Sequence, residues 1–128
     1  MRFLVDTHLL LWSVAASRKV PQVVREHLVD PRNTVLYSAA SMWEIAIKST
    51  LGREDFRVDL TRLLRAVVET GFVELPVTSA HAVRVATLPD LHKDPFDRLL
   101  IAQALTEPAI LLTNDAQLGP YGAPVRVV

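Results

Sequence analysis

Short apolar runs alternate with amphipathic stretches along almost the whole chain, and this alternation constrains the fold more than any other feature. "RFLVD" (2–6), "TVLYS" (34–38), "FVELP" (72–76) and "AILLTND" (109–115) read as strands, and "PVRVV" (124–128) as a possible fifth. Between them, 7–16, 21–30, 39–52, 59–71, 78–88 and 95–107 carry helical apolar spacing. Pro21 stands at a helix start, and Gly52 and Gly71 are placed as helix stops. The clearest amphipathic helix is "DLTRLLRAVVETG", with Leu60, Leu63, Leu64 and Val67 on one side. "REDFRV" (53–58) and "PDLHKD" (89–94) read as loops. Strands that alternate with helices predict an α/β/α sandwich around a mainly parallel sheet.

A chain of 128 residues, half of them hydrophobic, is expected to be one domain with its own core. No repeat or linker divides it. The absence of cysteine excludes disulfides and thiolate metal sites. "MRFLVD" lacks the basic and long apolar regions of a signal peptide, so a cytoplasmic location and no membrane contact are expected. Fourteen basic and fourteen acidic residues cancel. Net charge therefore gives no support to nucleic-acid binding, although local clusters of either sign remain open.

Four acids share a placement. Asp6 and Asp115 end predicted strands, while Glu44 and Asp97 lie in the first turns of predicted helices. In a parallel sheet, strand ends and the following helix starts meet at one edge, where ligands bind. Each acid also has an ordinary explanation. Asp6 can cap the helix opening at Thr7. Glu44 closes "SMWE", a capping-box pattern, and stands four residues before Lys48. Asp97 complements a helix dipole, and Asp115 lies in the turn-like "TND". Asp94, directly before Pro95, reads as the cap of that helix. Taken together, clustered carboxylates repel one another unless a cation joins them. Mg²⁺ or Mn²⁺ suits such a set, because these ions prefer oxygen and are often shared with phosphates. No Gly-rich phosphate loop and no Gly-x-Ser-x-Gly competes with this reading. His8 and His92 lie near the acids along the chain and allow a metal-independent acid–base ribonuclease as an alternative. Trp12 and Trp43 are expected in the core or at an interface, with base stacking as the alternative.

"FLVDTHLLLW", "SAASMWEIAIK" and "HKDPFDRLLIAQA" followed by "LLTND" resemble, in order and spacing, PIN-domain ribonucleases, specifically the VapC-like toxins of bacterial toxin–antitoxin pairs. The resemblance implies a PIN-like three-layer fold and Mg²⁺- or Mn²⁺-dependent endonucleolytic cleavage of RNA. It implies a homodimer inhibited by a small cognate antitoxin. The family's four acids fall on Asp6, Glu44, Asp97 and Asp115, with Asp6, Asp97 and Asp115 as metal ligands. Thr7 and Asn114 would support them, and Arg98 and Lys48 would contact substrate. Two positions depart from the pattern: Gln117 and Leu118 stand where many relatives carry another acid and an aromatic. "GREDFRV" is more acidic than is usual in this branch and is a candidate antitoxin surface. A PIN-like module that binds RNA or protein without cutting is the alternative function, and a DNA nuclease or phosphatase would use the same metal chemistry.

Overall fold

The computed structural model describes residues 1–51 and 58–128. The expected stop at Gly52, the loop over 53–57 and most of the acidic "GREDFRV" segment lie outside the described residues. β1 (Arg2–Val5), β2 (Thr34–Ser38), β3 (Val73–Leu75), β4 (Ile110–Thr113) and β5 (Val125–Val127) form one sheet in the order β3-β2-β1-β4-β5, and every pairing is parallel. The helices are α1 (Thr7–Val14), α2 (Gln22–Val29), α3 (Ala39–Thr50), α4 (Leu60–Thr70), α5 (Ser79–Val85) and α6 (Pro95–Thr106), with a 3-10 helix over Ala116–Tyr121. The predicted α/β/α layering is present.

Alternation along β1 explains the three layers. Successive side chains of a strand point to opposite faces. Phe3 and Val5 enter one core with Leu9, Leu10, Ile45 and Val67. Leu4, between them, enters a second core with Leu36, Leu100, Ile101 and Leu111. All of β1 beyond Arg2 is buried, which is why this strand reads as an unbroken apolar run. α4 turns Leu63 and Val67 inward but leaves Leu64 exposed, so the predicted stripe is narrower than the apolar pattern. At its end Gly71 adopts φ 105°, a left-handed conformation that costs glycine little.

β2 has its expected ends, and the other element ends fall within three residues of the expected ones. β1 stops at Val5 and β4 at Thr113, so Asp6 and Asp115 lie beyond the strands and cap the helices that follow. The Asp6 N–H still donates to the Leu112 carbonyl at 3.1 Å, while its side chain accepts from the Leu9 N–H and so opens α1. No helix among the described residues is long and apolar enough to cross a membrane.

Candidate active site

β1 leads to β2 and β3 on one side, and β4 and β5 lie on the other. The crevice at such a reversal, outside the carboxyl ends of β1 and β4, is where open α/β sheets bind ligands. Val5 pairs in register with Leu112, which sets Asp6 beside Thr113 one step further on. The Thr113 hydroxyl donates to Asp6 Oδ2 at 2.6 Å, and the Leu9 N–H donates to Oδ1 at 2.8 Å. Asp6 is 5% exposed. Burial raises its pKa above the usual carboxylate value, and these hydrogen bonds only partly oppose the shift. The same Thr113 oxygen accepts from the Asp115 N–H at 3.0 Å, tying the Asp115 backbone to Asp6.

α6 supplies Asp97. Asp94 is the N-cap, accepting from the N–H groups of Phe96 (2.8 Å) and Asp97 (3.1 Å), and Pro95 occupies the first helical position. The two aspartates therefore divide as expected, one capping and one turned to the site. His92 Nε2 donates to Asp97 Oδ2 at 2.9 Å. Burial, then the nearby Asp94 charge, pushes the Asp97 carboxyl up to about 6; His92 opposes this and Glu44 adds to it. One ligand atom from each of His92, Asp97 and Asp115 lies within 4.8 Å of the others, which is close enough for a shared ion. This grouping brings in His92, which the sequence offered only as an acid–base candidate.

Glu44 sits in the second turn of α3, nearly buried. Its capping-box reading is wrong: Ser38 is the N-cap, accepting from the Ala40 N–H, and Ser41 lies inside the helix. Instead the Thr7 hydroxyl reaches Glu44 Oε1 at 2.7 Å and lies 2.9 Å from Ser41 Oγ. Lys48 Nζ donates to Oε2 at 2.6 Å, the ion pair expected from the four-residue spacing. Thr7 thus joins the helix bearing Glu44 to the one capped by Asp6.

Other sequence candidates are placed less simply. Asn114 is exposed, and its backbone, rather than its amide, supports Asp6. Arg98 turns its guanidinium onto the carbonyls of Pro89 (3.0 Å), Val85 (3.3 Å) and His92 (3.4 Å), and onto the Tyr121 hydroxyl at 3.2 Å. Those donors hold the loop that carries His92, which differs from the substrate contact expected. Trp12 is half-buried against the first core, but Trp43 is 62% exposed and meets Phe96 edge-on at 5.3 Å, so it is not a core residue. Leu118 is fully buried in the second core, and Gln117 is exposed with its N–H on Asp115. Thr113 and Ser41 were missed, because a hydroxyl's role depends on a partner far away in the chain.

A model of the PIN domain matches residues 3–122. No curated protein matches the sequence significantly. Among solved structures the chain is similar to VapBC2 from Rickettsia felis bound to a promoter DNA fragment, with a TM-score of 0.73 at 12% identity, covering 100% of this chain and 98% of that one. It is similar to DNA-bound VapBC from Salmonella typhimurium, with a TM-score of 0.70 at 14% identity over 100% and 97% of the two chains. It is also similar to FitAcB from Neisseria gonorrhoeae, with a TM-score of 0.65 at 19% identity over 98% and 95%. At these identities the likeness is one of fold.

Proposed function

The chain belongs to the PIN-domain family, and we propose that it is a VapC-like toxin: a Mg²⁺- or Mn²⁺-dependent endoribonuclease restrained by a small antitoxin. The observation that carries this reading is the gathering of Asp97, Asp115 and His92 at the sheet's switch point, with Asp6 held beside them through Thr113. The donor set suits a hard cation, being mostly carboxylate oxygen with one imidazole. The raised pKa of Asp97 is a second sign of fit, since a nearby cation would favour its charged form.

A divalent ion bound there supplies positive charge against the phosphodiester and makes water easier to deprotonate. The chain does the rest. Asp97 and Asp115 would hold the ion, with His92 available as a third donor; Asp6, expected as a ligand, lies outside that group of three and is tied to it through Thr113 and the start of α1. Glu44 completes the acidic wall, fixed by Thr7 and Lys48. Arg98 keeps the His92 loop in place through its carbonyls. Attack by water at phosphorus would leave 5′-phosphate and 3′-hydroxyl ends. Similarity in fold to chains of VapBC complexes supports an antitoxin as partner, and the family resemblance supports a homodimer acting in the cytoplasm.

Purified protein incubated with total cellular RNA tests the reading. Discrete fragments with 5′-phosphate ends are expected in Mn²⁺ or Mg²⁺, and none in excess chelator. Cleavage that survives chelation and leaves cyclic phosphate ends would transfer the chemistry to His8 and His92. Tight binding with no cleavage in either metal would favour a non-catalytic module.

A further inference from the structure

We propose that the hollow beside Asp115 is a nucleobase subsite, in which a base next to the scissile bond stacks on Trp12 with Asn114 facing its edge; this rests on the nuclease reading above. The hollow has a volume of about 330 Å³ and is lined by His8, Trp12, Asn114, Asp115 and Ala116. That lies within the range of about 300–1,000 Å³ of small-ligand pockets. His8 and Trp12 are one turn apart on α1, with ring centroids 6.0 Å apart and planes tilted by 37°. Packing against the first core holds Trp12 in place. Lys19 Nζ lies over the Trp12 ring, 5.6 Å from its centroid, bringing positive charge to this side chain.

Three features favour single-stranded RNA as the occupant. Asp115 belongs both to this hollow and to the metal-capable group, so a residue of the cleaved strand reaches it directly. An aromatic face stacks on any base, and a nearby ammonium complements the backbone phosphate. The Asn114 side chain, exposed at the wall, offers both a donor and an acceptor to a base edge.

The chain has two tryptophans, so Trp43→Phe leaves Trp12 as the sole reporter. In chelator, a six-nucleotide single-stranded RNA is expected to quench Trp12 fluorescence, and a matched abasic oligomer is not. Trp12→Ala is expected to weaken RNA binding by about 5- to 150-fold and to raise KM more than it lowers kcat. Asn114→Ala and His8→Ala, both at exposed positions, should weaken binding without the risk to folding that removing Trp12 carries. Equal quenching by the abasic oligomer, or no quenching by RNA, overturns the subsite. So does an unchanged KM in all three variants, or quenching by an antitoxin peptide alone. Quenching by RNA in a protein that never cleaves keeps the subsite and sinks the nuclease. Cleavage without quenching does the reverse.

Discussion

Asp97→Asn is expected to lower RNA cleavage at least about 100-fold, since a lost metal ligand removes several kcal/mol of charge stabilisation and each 1.36 kcal/mol is tenfold. The fold should not suffer. Asp94, not Asp97, caps α6, and an Asn amide oxygen can still accept from His92. In metal-free protein the variant should even be more stable at neutral pH. The Asp97 carboxyl is pushed up to about 6 in the folded state, from an ordinary value of 3.8. Between those values the folded state binds more protons than the unfolded state, so stability falls as pH rises from about 4 to 6. Above 6 the loss is complete. Asn carries no such charge, so the variant's advantage should grow across that window to roughly 1–3 kcal/mol, one pKa unit being about 1.4 kcal/mol. Denaturant midpoints at pH 4 and pH 7 measure it. A variant that cleaves at the parental rate would remove Asp97 from the chemistry, and an equal stability difference at both pH values would contradict the raised pKa.

Asp6→Ala should combine both losses. Cleavage is expected to fall at least about 100-fold, as for Asp97→Asn. Here the fold should weaken too, because the substitution removes the α1 N-cap and leaves the buried Thr113 hydroxyl without its acceptor. Together these should cost on the order of 2–4 kcal/mol. Asp6→Asn separates the two roles. An Asn side chain can still cap α1 through its amide oxygen, with its NH2 donating to the Thr113 oxygen, so it should destabilise less than Ala while cleavage is lost. Parallel unfolding curves and cleavage rates check this. Equal destabilisation by Ala and Asn would mean that the charge itself holds the fold, contrary to a buried carboxylate whose pKa is raised.

The layering was legible in the sequence because a parallel sheet buried on both faces leaves unbroken apolar runs, as in β1 and β4. The capping role of Asp94 was legible from Pro95, which fixes where α6 begins, but the division from Asp97 needed the other acids and the family pattern. What depended on distant pairing was not. Thr113 meets Asp6 across 107 residues of chain, and only the register of β1 with β4 brings them together. Glu44 fitted a capping box locally, yet Ser38 at the end of β2 starts α3 one turn earlier and leaves Glu44 to face Thr7. Arg98 looked like a free cation beside the acids, but carbonyls of the folded loop take its donors. Trp43, an apolar residue next to a buried glutamate, stays at the surface because α3 turns Ser41 and Ile45 inward instead.

The gathered carboxylates are most directly tested by Mn²⁺ binding to the purified protein without RNA, followed by electron paramagnetic resonance or calorimetry. The parent is expected to bind the ion at a discrete site, with affinity falling at least about tenfold in Asp97→Asn and in Asp115→Asn. Unchanged Mn²⁺ binding in both variants, or no specific binding by the parent, would contradict a divalent-metal centre at this edge of the sheet.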